Sequence, residues 1–141
     1  MNVFADTSFL VSLYHPDANS ARAAKQVLLG PVFLLTPLIE LEITNALELR
    51  VFRNEATASQ SRAARTEFQR HVDEGLFSKT SMPTTVYDLA GRIARRATAR
   101  MGTRALDILQ VASAILLRAE EFWTLDARQA KLARDQDLKV R

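Results

Sequence analysis

The chain contains no cysteine. That excludes a disulfide framework, a thiolate nucleophile and any cysteine-based zinc site. Histidine is scarce too, with only His15 and His71. His15 precedes Pro16 in a loop and His71 lies in the polar run QRHVDEG, so both read as surface residues. A Ser–His–Asp arrangement around Ser8 therefore has no base. Long hydrophobic runs are missing as well. PVFLLTPLI and ALDILQVASAILL are too short or too interrupted to span a bilayer. The first residues carry no basic segment and place Asp6 early, which argues against a signal peptide. Glycine and proline are few, at four each, and no repeat, low-complexity tract or linker stands out. These absences lead to the expectation of a cytoplasmic protein with no membrane partner.

What is present describes an ordinary globular chain: 141 residues, 48% hydrophobic and 25% charged. Residues 1–141 read as a single domain, long enough to bury roughly 68–70% of the surface exposed when unfolded. A net charge of +3 gives a mild hint of a polyanionic partner. Apolar patterning predicts strands at 2–5, 32–35, 76–80, 121–125 and 138–140. Between them it predicts helices at 7–14, 18–29, 37–52, 56–74, 84–100, 105–118 and 127–135. Strands alternating with helices imply parallel pairing and a layered α/β fold. Ligands in such sheets bind outside the carboxyl ends of strands where strand order reverses.

Asp6 stands just past the first strand and Asp126 just past the fourth, in FADTSFL and FWTLDARQ. Glu42 sits in TPLIELEITNAL, a helix apolar over much of its circumference, with Asn45 on the same face. Asp107 occupies the first turn of RALDILQVASAILL, apolar almost all round. Each acid has a bland reading. Asp6 and Asp126 can cap helices, Asp107 can complement a helix dipole, and Glu42 can pair with an arginine such as Arg104. Together they are harder to dismiss. An unpaired charge on an apolar helix costs several kcal/mol, and clustered carboxylates repel unless a cation lies among them. Oxygen-only ligands favour Mg2+ or Mn2+ over zinc.

The ordered series FADTSFLVSL, LIELEITNAL, RALDILQVASAI and FWTLD resembles the PIN-domain family across essentially the whole chain, most closely the VapC-type toxins of bacterial toxin–antitoxin pairs. The resemblance implies a three-layer α/β/α sandwich with a central parallel sheet. It implies an Mg2+- or Mn2+-dependent ribonuclease whose catalytic and metal-holding acids are Asp6, Glu42, Asp107 and Asp126. Thr7, Ser8 and Thr124 match hydroxyl positions beside the acids. Gln110 stands where many relatives place a histidine, and Arg128 and Ala130 follow Asp126 where some carry a further acid. A small cognate antitoxin and a homodimer are also implied.

For the RNA, Arg92, Arg96 and Arg100 recur at every fourth position, with Arg95 adjacent, forming a stripe ~12 Å long on one helix. The alternative is a solvated helix face. Arg104, three residues before Asp107, can pair with an acid or touch substrate phosphate. Two other functions stay open: a PIN-like module that binds RNA or protein without cutting, and phosphoryl transfer through Asp6. The second wants a lysine near the phosphate, yet Lys25, Lys79, Lys131 and Lys139 all lie outside the acid motifs.

Overall fold

Three short, largely apolar runs, NVFA, VFLL and EFW, form the strands β1 (Asn2–Ala5), β2 (Val32–Leu35) and β4 (Glu121–Trp123), and FSK, with only Phe77 buried, forms β3 (Phe77–Lys79). In this computed structural model, which describes residues 1–141, they make one parallel sheet in the order β3-β2-β1-β4. Register pairs Val3 with Phe33 on one side and with Glu121 on the other. The helices are α1 (Thr7–Tyr14), α2 (Ser20–Val27), α3 (Pro37–Phe52), α4 (Ala58–Asp73), α5 (Val86–Met101), α6 (Ala105–Leu116) and α7 (Ala127–Asp135). Helices α1 to α4 pack on one another, as do α5 to α7, giving a helical layer on each face of the sheet. The three-layer α/β/α architecture follows. The chain steps outward from β1 to β2 and β3, then crosses back to β4 on the other side of β1. Strand order therefore reverses at β1, whose carboxyl end is the switch point.

Side chains alternate across the sheet, so both faces contribute to the one hydrophobic core. Phe9, Phe33 and Trp123 cluster at centroid distances of 5.3 to 6.0 Å, and Phe77, Phe68 and Tyr14 extend the cluster toward α4. On the opposite face Phe4 stacks on Phe122 at 5.8 Å. Trp123 is fully buried, and its indole N–H donates to Glu121 Oε2 at 2.7 Å. Helix ends follow the local chemistry. Thr36 caps α3 with Pro37 at the first position, and Thr57 with Gln60 forms a capping box on α4. Gly102, at φ 64°, ends α5 in the left-handed conformation and turns the chain into α6.

Elements β3, α4, α5 and α6 shift from expectation by one or two residues at one or both ends, and three other segments differ for a local reason. Helix α2 begins at Ser20, because Asp17, Asn19 and Ser20 first close a turn: Asp17 accepts from the Asn19 amide at 2.7 Å and donates its own amide to Ser20 Oγ. Strand β4 stops at Trp123, because Thr124 and Asp126 turn toward the site described below. The run 138–140 is reduced to a single parallel bridge, Val140 with Phe122. Bonds from Phe122 N to Lys139 O, Arg141 N to Phe122 O and Thr124 N to Arg141 O hold it against β4. Glu121, buried on β4, anchors the same segment through Arg141 at 2.9 Å and Lys139 at 2.6 Å. Arg141 above all draws its pKa down to about 2. No helix is long and apolar enough to cross a membrane.

Candidate active site

The carboxyl ends of β1 and β4 open between α1 and α7, and Asp6 lies at the base of that mouth. Its amide donates to Trp123 O at 3.0 Å, a continuation of the β1–β4 pairing. Its Oδ1 accepts from the Phe9 amide at 3.1 Å, capping α1, and from Ser8 Oγ at 2.6 Å. Thr124 Oγ1 donates to Oδ2. Asp6 is only 4% exposed. Burial pushes its pKa up to about 6, against the lowering bonds from Ser8, Thr124 and Phe9, and the charge of Asp126 adds to the rise.

Asp126 follows β4 as Asp6 follows β1. Its Oδ1 caps α7 by accepting from the Arg128 amide at 2.8 Å and the Gln129 amide at 3.3 Å. No protein group bonds to its other oxygen. An N-cap uses one carboxylate oxygen, so capping leaves Asp126 Oδ2 free, whereas both Asp6 oxygens accept from protein groups. Ser8 and Thr124 tie the two strand ends together: Leu125 N donates to Ser8 Oγ at 3.0 Å, and Asp126 N to Thr124 Oγ1 at 3.0 Å.

Glu42 enters from α3. Its Oε2 accepts from Thr7 Oγ1 and from the Gln110 amide, while Oε1 is buried with no partner. Burial raises its pKa, and nearby Asp107 raises it further against the bonds from Thr7 and Gln110. Asp107, in the first turn of α6, meets Arg104 Nε at 3.4 Å. The pairing foreseen between Glu42 and Arg104 is therefore made by Asp107 instead, three residues along the same segment. Gln129 Nε2 donates to Asp107 O at 3.1 Å, linking α7 to α6.

The four acids stand as two repelling pairs, Asp6 with Asp126 and Glu42 with Asp107. As the side chains lie, no three of them converge as a ready ion cage. The donor chemistry fits a hard divalent cation: all oxygens, two carboxyls made reluctant to ionise by burial, and a buried Glu42 oxygen without a hydrogen-bond donor. Water-bridged ligation suits Mg2+ in particular, which keeps several of its waters.

A cleft of about 340 Å3 opens on Glu42, Arg104, Leu106 and Asp107, and two others open on the acids. One, of about 440 Å3, runs from Thr7, Ser8 and Asp126 past Val11, Ala46 and Leu49 to Arg50 and Arg53. The other, about 110 Å3, holds Arg104, Asp107, Gln129, Arg128 and Lys131. Lys131 lies outside every acid motif in sequence, yet comes beside Asp107 in space. Its signal was weak, an exposed cation on a polar helix face. Arg92, Arg96 and Arg100 are exposed on α5, line none of these clefts, and Arg100 is tied to Asp135 at 3.2 Å. Asn45, on the Glu42 helix, is exposed. His71 is half-buried against Tyr14, its Nδ1 2.9 Å from the phenol oxygen, so it is a packed residue rather than a free surface one.

The family model of the PIN domain matches residues 3–135. No curated protein matches the sequence. Among solved structures, Mycobacterium tuberculosis VapC20, described as a Sarcin-Ricin loop cleaving toxin, superposes with a TM-score of 0.71 at 17% identity, over 92% of this chain and 93% of that one. FitAcB from Neisseria gonorrhoeae gives 0.72 at 16% identity, over 98% and 95%. VapBC2 from Rickettsia felis, bound to a DNA fragment from its promoter, gives 0.67 at 14% identity, over 100% and 98%.

Proposed function

The chain belongs to the PIN-domain family, and from that premise we propose that it is a divalent-metal-dependent endoribonuclease, the toxin of a toxin–antitoxin pair. The observation that carries the reading is two pairs of acids, Asp6 with Asp126 and Glu42 with Asp107, drawn from four separate segments, with burial raising the pKa of Asp6 and Glu42. Asp6, Asp107 and Asp126 hold Mg2+ or Mn2+ directly or through water. Glu42 is a further ligand or orients the attacking water with its free Oε1. When bound, the ion neutralises phosphate charge and lowers the pKa of its water. Thr124 and Ser8 fix the Asp6 carboxylate, Thr7 and Gln110 fix that of Glu42, and Arg104 stands where it can leave Asp107 for a phosphate.

VapC20 supports RNA as the substrate class, and the VapBC2 and FitAcB likenesses support an antitoxin partner. A homodimer is part of the same reading. The test is RNA cleavage by the purified chain with Mn2+ and with chelator, beside well-folded Asp107→Asn. Activity in the parent that chelator and the variant both remove is the expected result; equal activity in the variant sinks the assignment. Growth arrest on production of the parent, relieved by Asp6→Asn, tests the toxin role. A second reading, a PIN-like module that binds RNA or protein without cutting, draws on the two-pair arrangement of the acids. Binding without metal-dependent cleavage would favour it.

A further inference from the structure

An acid mouth repels the polyanion it is meant to hold. A bound ion offsets this at one phosphate only, so the neighbouring phosphates need cations elsewhere. Of the clefts that open on the acids, two supply them. The larger ends at Arg50 and Arg53, the smaller at Arg128 and Lys131. Arg50 is engaged by Glu55 at 3.1 Å, and Arg104 by Asp107. Arg53, Arg128 and Lys131 make no ion pair within the protein, and all three are exposed. They come from the end of α3 and the first turns of α7, Arg53 in the cleft that holds Ser8 and Asp126, the other two in the cleft that holds Asp107. Between Arg53 and the acids, Val11, Ala46, Leu49 and Leu125 give the larger cleft an apolar wall. Such a wall suits the base or ribose of an unpaired nucleotide, whereas a duplex keeps its bases inside.

We propose that Arg53 on one side, and Arg128 with Lys131 on the other, grip phosphates of a single RNA strand that crosses the acid mouth from α3 to α7. This rests on the ribonuclease reading and adds the path of the strand. That path leaves the α5 stripe aside, since Arg92, Arg96 and Arg100 line neither cleft.

The test measures anisotropy of a short fluorescent single-stranded RNA of mixed sequence, titrated with the full chain in chelator over a range of potassium chloride. Removing one phosphate-binding cation should lower the log–log salt slope by about 0.7. Affinity at low salt should fall about fivefold for Arg53→Gln, and about as much for Arg128→Gln with Lys131→Gln. Arg62→Gln, an exposed change on α4 outside both clefts, serves as the control and should leave slope and affinity as they are. Melting temperatures equal to the parent's confirm that each variant is folded. In Mn2+ the same cleft variants should raise KM for RNA cleavage and leave kcat near the parent value. If the slope falls for Arg92→Gln with Arg96→Gln but not for the cleft variants, the proposal is overturned. Cleavage with unchanged KM and slope in the cleft variants also overturns it, while the nuclease reading stands. A reduced slope in a protein that cuts nothing supports the grip and sinks the nuclease reading instead.

Discussion

Replacing Asp6 with asparagine separates the two jobs of its carboxylate, capping α1 and standing charged in a buried mouth. The folded state raises its pKa from 3.8 to about 6, chiefly through burial. Holding that charge at neutral pH therefore costs the fold about 3 kcal/mol, at 1.36 kcal/mol per pH unit. Because the folded protein binds this proton more tightly than the unfolded chain, stability from Asp6 is greatest in acid. It declines as pH rises from 3.8 to about 6, and changes no further above that. Asparagine removes the charge and caps a helix about as well. Its oxygen can still accept from the Phe9 amide, while its NH2 meets Thr124, whose hydroxyl must turn to accept. That exchange costs about 1 kcal/mol. In chelator, Asp6→Asn should then be about 2 kcal/mol more stable than the parent at neutral pH, about 8 °C in Tm. Near pH 3, below both pKa values, the order should reverse, with the variant about 1 kcal/mol less stable. Thermal and urea melts of both proteins at the two pH values read the difference directly. A stability difference that does not change with pH would refute the account of Asp6 as a penalised charge.

Saturating Mn2+ should raise the melting temperature of the parent, since a hundredfold excess over Kd contributes about 2.7 kcal/mol. Asp6→Asn should gain less, and equal melts of the parent with and without metal would count against the ion site. Asp126→Asn should keep the α7 cap yet lower Mn2+-dependent cleavage by about a hundredfold or more, which kinetics on labelled RNA would check. Glu121→Gln should destabilise the fold at neutral pH by about 1 kcal/mol, because its bonds to Arg141 and Lys139 are no longer charge-assisted on both sides. The parent's advantage over it should fade as pH drops from 4.5 toward about 2, because the Glu121 carboxylate is held ionised in the fold. Urea melts at several acid pH values decide this.

Strands β1, β2 and β4 were legible because each is a short, largely apolar run, and the acids because each interrupts such a pattern. Asp6 after NVFA and Asp126 after EFWTL could be placed at strand ends, and the parallel alternation put those ends on one edge. What sequence could not supply was partnership in space. Arg104 chooses Asp107 over Glu42 because both lie on one segment, a matter of rotamer reach. Arg100 finds Asp135 on α7, 35 residues away. Gln110 donates to Glu42 across two helices. Lys131 and Arg53 were unreadable as site residues because an exposed cation on a polar helix face has no periodic signature; only the clefts single them out. The run 138–140 carried a strand's apolar pattern but too little length to pair more than once.

The bond between Thr124 and Asp6 joins residues 118 apart in the chain. Closing so long a loop costs about 4 kcal/mol in chain entropy, which only the finished β1–β4 pairing can repay. On a ribosome adding about 5–20 residues per second, Asp6 emerges roughly 6–24 s before its partner is made. Until then its carboxylate lies in water, as acidic as any other, with one side of β1 open and no mouth around it. If the chain is the nuclease proposed, it is silent during its own synthesis. A chain arrested before β4 should retain no Mn2+ and cut no RNA, so the delay leaves a window in which a neutralising partner can already be waiting.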